Sequence, residues 1–269
     1  MSNKIYDCIT FFQENLQAEL RFNILNEVVE KFIVCESIYD HRGNKKRINF
    51  NKELYPKFSK KINHIILKDP FPKKNIPWEN QAYQREYIFE GLKDINKEDL
   101  VMFSDPDEIP NPKKLKDFIL KKKYGIFMQD MYTYKLNIFN QFESPWQGTR
   151  IAKKKDLKSI DWLRQKVIVK NLKYPFWRID KEKNIELIDD GGWHFNYLLT
   201  PEQISKKLKS LAETKWNKEE FHNIEVIEDK IKKRQDLFNR GHIYKAVNLE
   251  KSLPKFILEN KEKYSYWII

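Results

Sequence analysis

Residues 100–110 read Leu-Val-Met-Phe-Ser-Asp-Pro-Asp-Glu-Ile-Pro. The apolar run is short and ends at turn-forming residues, a pattern that predicts a buried strand. Three carboxylates follow it directly, those of Asp105, Asp107 and Glu108. Ligands of α/β sheets bind beyond the carboxyl ends of strands, so these side chains lie where a ligand is expected. Asp105 and Asp107 form a D-x-D pair that can converge on one hard cation, and a cation there could hold a diphosphate.

The residues before this stretch predict an α/β fold. Residues 4–12 and 32–35 are apolar runs typical of strands, and residues 15–30 between them have the spacing of an amphipathic helix. A strand, a helix and a strand in so short a stretch form a βαβ unit. A third strand is predicted at residues 64–67, and a helix over 79–92 precedes the carboxylate stretch.

The second part of the chain has a different pattern. Aromatic and β-branched residues dominate 124–174, where we predict strands and loops. A capping-box sequence predicts a helix over 201–212, and Asn217 is predicted to open a longer helix that reaches Gly241. Because no linker or internal repeat interrupts the chain, we predict a single domain over residues 1–269.

The net charge of +12 favours anionic partners: nucleic acid, an anionic membrane surface or phosphorylated substrates. Lys-rich helices with ordinary solvated faces would give the same charge. Cys8 and Cys35 each lie in an apolar run and are predicted to be buried free thiols. With no long apolar segment and no signal-peptide pattern, we expect a cytoplasmic protein and leave peripheral contact with a membrane open.

A second cluster of functional residue types reads Asp189-Asp-Gly-Gly-Trp-His194. It offers two acids, two glycines that allow a close approach of the backbone, a flat indole and an imidazole. A strand-initiating turn with a core histidine and a packed tryptophan would produce the same pattern. Two single residues add to the candidates. Trp146 lies in a turn, where it could also be a core residue, and the charge of Arg85 could meet either a diphosphate or a nearby acid such as Glu86.

Three segments together, 5–37, 100–110 and 191–203, resemble glycosyltransferase family 17, and the resemblance extends over about residues 5–245. It implies a GT-A-like fold, in which helices flank a mixed central sheet and the C-terminal part is helical. It also implies an inverting transfer, with GlcNAc from UDP-GlcNAc to a saccharide hydroxyl as the expected reaction. Residues 1–123 would then form the nucleotide-sugar-binding half and residues 124–269 the acceptor half.

The resemblance suggests roles for the donor-side residues. Asp105 and Asp107 would hold Mn²⁺ or Mg²⁺ against the diphosphate of a UDP-sugar, where the ion neutralises the charge of the leaving group. His194 would be a further metal ligand or a phosphate contact. The strand ends around Phe11 and Glu36 would seat the base and ribose. The guanidinium of Arg85 would assist the phosphates.

On the acceptor side, inversion in one displacement requires a general base, which is normally a carboxylate. Asp190 is the first candidate, with Asp189 and Glu108 as alternatives. Trp146 and Trp193 would stack on a sugar. Two other functions stay open: a metal-dependent nuclease or other nucleic-acid enzyme, which the positive charge and clustered acids would suit, and a non-catalytic sugar-binding module.

Overall fold

The computed structural model describes residues 3–72, 76–210, 214–216 and 218–269. A mixed sheet runs through this part of the chain, and its strands follow the apolar runs of the sequence. The strands are β1 Ile5–Phe11, β2 Lys31–Ser37, β3 Ile62–Leu67, β4 Leu100–Ser104, β5 Glu108–Pro110, β6 Tyr124–Thr133, β7 Ile138–Phe139, β8 Trp146–Lys153, β9 Ile185–Ile188, β10 Gly192–Asn196 and β11 Lys245–Ala246.

Helices flank the sheet and make up much of the C-terminal part. The α-helices are α1 Asn15–Leu25, α2 Pro77–Glu86, α3 Pro112–Leu115, α4 Ile160–Lys166, α5 Pro201–Ser210, α6 Glu219–His222, α7 Ile224–Lys233, α8 Leu249–Ser252 and α9 Lys255–Glu259. Short 3-10 helices occupy Lys52–Leu54, Pro56–Phe58, Tyr87–Leu92, Lys154–Asp156, Val169–Lys173, Thr214–Trp216 and Ser265–Trp267.

The sheet has the order β11-β7-β6-β8-β4-β1-β2-β3, with β9 and β10 beside β6 and β5 beside β10. Strands β1, β2, β3 and β4 are parallel, so their carboxyl ends meet at one edge. Strand β8 runs antiparallel to both β4 and β6 and joins the two halves of the chain in one sheet. The predicted fold class, a mixed central sheet flanked by helices, is confirmed.

Strand β4 shows why the central run is apolar throughout. Leu100 and Met102 pack into a core on one face of the sheet, and Val101 and Phe103 pack into a second core on the other face. A strand covered on both faces needs apolar side chains at successive positions, not at alternate ones. The sequence pattern therefore predicted the central position of β4 correctly.

Several element boundaries differ from the sequence prediction. The helix predicted over 15–30 ends at Leu25, and the one predicted over 79–92 changes at Tyr87 from an α-helix to a 3-10 helix. The region 124–174, predicted to hold only strands and loops, contains α4. Ser159 caps this helix by accepting a hydrogen bond from the backbone N–H of Trp162.

One of the two predicted C-terminal helices differs from the sequence prediction. Helix α5 is described to Ser210, and residues 211–212 of the prediction lie outside the described residues, as does Asn217. The long helix predicted to reach Gly241 is instead two helices. Asn223 separates them and caps α7, its side chain accepting from the N–H of Val226 at 3.1 Å.

Both cysteines are free and buried, as predicted. Cys8 and Cys35 pack in the core beneath β1 and β2, where burial raises the pKa of each thiol, that of Cys35 to about 12. Within the described ranges, no helix combines the length and the apolar character that crossing a bilayer would require.

Candidate active site

The acidic turn (residues 105–108) begins where β4 ends. The N–H of Glu108 donates to the carbonyl of Asp105 at 3.0 Å, and the N–H of Asp105 donates to the Glu108 carboxylate at 3.2 Å. Both bonds join Asp105 to Glu108 across Pro106 and Asp107, and β5 begins at Glu108. The turn is thus closed on itself, and it holds three carboxylates together at the carboxyl edge of the parallel strands.

Arg164 of α4 neutralises two of these carboxylates. Its guanidinium lies 2.6 Å from Asp105 and 2.7 Å from Glu108. Arg85 of α2 adds a second cation, 3.4 Å from Asp105 and 2.8 Å from Asp161. Burial alone would raise the pKa of Asp105, but Arg164 and Arg85 outweigh it, so the net pKa is lowered and the carboxylate stays ionised.

Asp107 has a different set of partners. Its carboxylate lies 3.3 Å from the ammonium of Lys207 on α5 and 3.5 Å from Nε2 of His194 on β10. Burial opposes ionisation here too, yet Lys207 and His194 together lower the pKa of Asp107. Burial also lowers the pKa of His194, and the neighbouring Asp107 more than compensates and raises it. Glu14 lies 3.5 Å from Lys207 and extends the network.

These residues border a cavity of about 220 Å³ at the carboxyl ends of β1 and β4. The loop after β2 closes one side through Tyr39 and His41, and α2 contributes Gln81 and Gln84. Other residues that line the cavity are Phe11, Lys46, Asp107, Glu108, Trp146, His194 and Lys207. Acids, cations and aromatic rings thus share one cleft at the edge where α/β sheets bind ligands.

A buried arginine supports the turn from below. Arg21 of α1 has no exposed side chain and pairs with both oxygens of Asp7 on β1 at 2.6 Å. The same guanidinium donates to the carbonyl of Glu108 at 2.6 Å and to the hydroxyl of Ser104 at 2.8 Å. One side chain therefore connects α1, β1, the end of β4 and the acidic turn, which fixes the turn relative to the sheet.

Glu36 and Phe11 have separate positions. Glu36 is fully buried and accepts from the ammonium of Lys46 at 2.5 Å and from the N–H groups of Asn49 and Phe50 at 2.8 and 2.9 Å. It does not border the cavity; it holds the loop that brings Lys46 there. Phe11, at the end of β1, does border it.

Trp146 lies at the start of β8 and borders the cavity. Its indole N–H donates to the Glu108 carboxylate at 2.7 Å, and its ring centroid lies 5.2 Å from that of His194. The orientation of the ring is therefore fixed from two sides, with the Glu108 hydrogen bond at the nitrogen edge.

The structure does not bring Asp189, Asp190 or Trp193 to this cavity. The Asp190 side chain is 86% exposed, with Lys114 3.6 Å away as its ion-pair partner. Asp189 is exposed as well. Trp193 packs against the core, and its indole N–H donates to the carbonyl of Ser252 at 2.6 Å.

Close backbone contacts require glycine at both positions before Trp193. A Cβ on Gly191 would lie 2.6 Å from the backbone of Met128, and one on Gly192 would lie 2.2 Å from the carbonyl of Ile109. Gly192 also has φ +126°, which side chains disfavour. Strand β10 can enter between β5 and β6 only because these positions lack side chains, and it then carries His194 to the position beside Glu108.

Sequence reasoning missed Arg164, Lys207 and Glu14. Arg164 lies in a helix that the aromatic-rich pattern concealed, and Lys207 is one of several lysines on α5. Neither has a local motif. Only the Ser159 cap before α4 could have indicated that Arg164 lies on a helix.

Whether the site fits a divalent cation depends on Asp107 and His194. In the part of the chain that the structure describes, no group of three or more His, Cys, Asp and Glu side chains is arranged as a metal site. Cations that hold diphosphates often take only one or two protein ligands and complete their shell with phosphate oxygens and water. Asp107 fits this pattern better than Asp105, because its oxygens lie 3.3 Å and 3.5 Å from Lys207 and His194, whereas an oxygen of Asp105 lies 2.6 Å from Arg164. His194 adds a second candidate ligand, since its Nδ1 is buried and has no hydrogen-bond partner among the described residues.

The fold is of the α/β class, and its cleft lies at the carboxyl edge of the parallel strands, lined by acids and cations. The chain belongs to glycosyltransferase family 17, whose family model matches residues 1–268. Of the three functions that the sequence left open, family membership supports sugar transfer.

A curated relative is the β-1,4-mannosyl-glycoprotein 4-β-N-acetylglucosaminyltransferase of Rattus norvegicus, 27% identical over 116 residues. The match covers 40% of this chain and 22% of the rat protein, so it spans about a fifth of that relative.

Among solved structures, TarS residues 1–349 of S. aureus match with a TM-score of 0.38 and 15% identity, covering 77% of this chain and 63% of that one. A glycosyltransferase involved in glycosylation of the major capsid of PBCV-1 matches with a TM-score of 0.32 and 12% identity, covering 70% of this chain and 82% of that one. The inositol-1-phosphate CTP transferase of T. maritima matches with a TM-score of 0.35 and 11% identity, covering 85% of this chain and 98% of that one. All three scores lie below 0.5.

Proposed function

We propose that this protein is an inverting glycosyltransferase that moves GlcNAc from UDP-GlcNAc to a hydroxyl of a saccharide acceptor. The observation that carries the proposal is the cleft itself, in which Asp107, His194 and Lys207 meet at the carboxyl end of β4. GlcNAc is proposed as the transferred sugar because the rat relative is an N-acetylglucosaminyltransferase.

The diphosphate of the donor would lie beside Asp107. With His194, this carboxylate would hold Mn²⁺ or Mg²⁺, which when bound neutralises charge on the leaving diphosphate. The chain also offers cations of its own at this position. Lys207 and Lys46 both border the cavity and can face phosphate oxygens directly, so charge neutralisation is shared between the ion and these side chains.

The nucleoside would occupy the side of the cavity formed by β1 and the loop after β2. Phe11, Tyr39 and His41 border this side, and His41 is held by Gln84 at 2.9 Å. Aromatic and amide groups suit a base, which needs a flat contact and a few hydrogen bonds. In this proposal Glu36 contributes indirectly, by holding Lys46 and its loop.

In the transfer step, the acceptor oxygen attacks the anomeric carbon while the bond to the diphosphate oxygen breaks, and the hydroxyl proton passes to a base. Of the three carboxylates considered for that role, only Glu108 borders the cavity. Its oxygens accept from Trp146, Arg164 and the N–H of Asp105. Glu108 would therefore have to release one of these bonds to take the proton.

A donor panel tests the proposal. The purified protein is incubated with UDP-GlcNAc, UDP-glucose, GDP-mannose and CMP-sialic acid, each with Mn²⁺, Mg²⁺ or EDTA, and release of free sugar is measured. We expect hydrolysis of UDP-GlcNAc above all others, with a large loss in EDTA. Equal rates in EDTA would remove the metal from the proposal, a different preferred donor would replace UDP-GlcNAc, and no hydrolysis or binding of any donor would contradict the assigned function of the cleft.

A further inference from the structure

The apolar loop (residues 174–183) lies outside the candidate active site and presents large apolar side chains to solvent. Ile179 is 94% exposed, Phe176 86% and Trp177 65%. Single exposed apolar residues are ordinary, but three within four positions form a patch that requires an explanation. None of the three contributes to the cavity or to the hydrophobic core clusters.

The loop is held in this shape by its own polar groups. The ammonium of Lys183 donates to the carbonyls of Pro175 at 2.7 Å, Arg178 at 2.8 Å and Phe176 at 3.4 Å. Backbone hydrogen bonds from Arg178 to Pro175 and from Ile179 to Trp177 tighten it further. The hydrogen bonds of these carbonyls are thus made within the loop itself, and the apolar side chains lie on its solvent-exposed side.

Positive charge surrounds the apolar tip. Residues 170–183 contain five Lys or Arg and two Asp or Glu. Lys170 and Lys173 are exposed before the loop, and Lys121 and Lys122 are exposed beside its end, where Asn184 bonds to the backbone of the segment that follows them. Within the described part of the chain, none of these four lysines forms an ion pair with an acidic side chain.

We propose that the apolar loop is a membrane-docking element that inserts Phe176, Trp177 and Ile179 into the headgroup region of a bilayer containing anionic lipids. Aromatic residues favour the boundary between headgroups and acyl chains, and Lys residues nearby are attracted to an anionic surface. The charge complementarity selects this occupant over a second copy of the chain, because two copies meeting at this loop would bring like charges together.

Vesicle sedimentation tests the proposal with the full chain. The protein is mixed with vesicles of phosphatidylcholine alone or of phosphatidylcholine with phosphatidylglycerol, at low and at high salt. We expect binding to the anionic vesicles that weakens as salt rises. The variant F176S/W177S/I179S should bind at least about tenfold more weakly, since it loses the inserted apolar surface. The matched control is Leu54→Ser, which replaces an apolar residue that is 64% exposed and lies two residues after Lys52, and it should bind like wild type.

A second measurement locates the contact. Vesicles carrying brominated phosphatidylcholine quench indole fluorescence only over short distances. They should quench the wild-type protein, whereas Trp177→Phe should still sediment with vesicles and lose most of that quenching. Thermal unfolding of each variant shows whether the fold is kept.

Three results would overturn the proposal. The first is absence of binding to either kind of vesicle, and the second is a triple variant that binds as tightly as wild type. The third is a wild-type dimer that the triple variant abolishes, without vesicle binding, which would assign the loop to a second copy.

Discussion

The acidic turn at residues 105–108 and the acidic pair Asp189–Asp190 look alike in the sequence, yet they occupy opposite environments. Asp107 is buried between Lys207 and His194, whereas the Asp190 side chain is 86% exposed. The difference follows from strand direction. The turn follows the carboxyl end of β4, but the pair precedes β10, which runs from beside Pro110 toward Glu108. Strand β10 therefore carries His194 to the cavity and leaves the acids at its far end.

The two acidic regions also differ in what supports them. Several buried carboxylates close together are tolerated only when cations pair with them, because removing one partner leaves a charge without water or counter-ion. Arg21, Arg85, Arg164 and Lys207 supply that pairing beneath and around the turn. The exposed pair needs no such support, since water solvates it.

Replacing the cation beneath the turn should have the largest effect. In Arg21→Met, Asp7 stays buried without its partner, and we expect the free energy of unfolding to fall by about 3–5 kcal/mol in a urea titration. Lys4→Met, which breaks an ion pair between half-exposed Lys4 and Glu30, is the control and should keep the urea midpoint. Adding Asp7→Asn to Arg21→Met should recover part of the loss. A single variant as stable as the control would mean that the buried network does not hold the turn.

Removing the charge of the turn should be the next largest effect and should act on turnover. We expect Asp107→Asn to slow hydrolysis of the donor by about 100- to 1,000-fold, because it removes a proposed ligand of the cation that would neutralise the leaving diphosphate. Asp229→Asn provides the comparison, because Asp229 also pairs with a lysine, Lys233, but on the exposed face of α7. Thermal unfolding checks that each variant is folded. Full activity in Asp107→Asn would remove this carboxylate from the site.

A smaller effect should come from the glycine that starts β10. Gly192→Ala adds a Cβ 2.2 Å from the carbonyl of Ile109 at a position with φ +126°, and we expect it to destabilise the protein by about 1–3 kcal/mol. Gly241→Ala separates the two causes. Gly241 has φ +81° but no atom near the added Cβ, so its variant carries the backbone strain without the clash. If both variants unfold at the same urea concentration, the close approach of β10 to β5 is not what requires glycine.

The strands of the sheet and the acidic turn could be predicted from the sequence more fully than the helices. Largely apolar runs identified β1, β2 and β4, because strands buried on both faces are apolar at most successive positions. The buried Asp7 of β1 is an exception that Arg21 neutralises. The carboxylates after β4 could then be placed at the ligand-binding edge. Helix α4 was missed, because its short apolar face resembles the surrounding strand-rich segment.

The parts of the site that could not be predicted come from distant elements. Arg164 and Lys207 meet the turn across 56 to 100 residues of chain, and a single basic residue on a helix has no pattern that identifies its partner. The sequence could not tell which residues of the cluster 189–194 lie at the cavity and which do not. His194 faces the cavity and Trp193 the core because neighbouring residues of a strand point to opposite faces.

The smallest expected effect sharpens the contrast between the two acidic regions. Asp190→Asn should keep the rate of transfer within about twofold of wild type and leave the urea midpoint unchanged, since an exposed ion pair contributes little. Glu108→Gln, measured in parallel, should lose about 100-fold or more if its carboxylate takes the acceptor proton. A large loss in Asp190→Asn with full activity in Glu108→Gln would reverse the assignment. The acceptor would then have to extend over the start of β10, and the exposed acid, not the buried one, would act as the base.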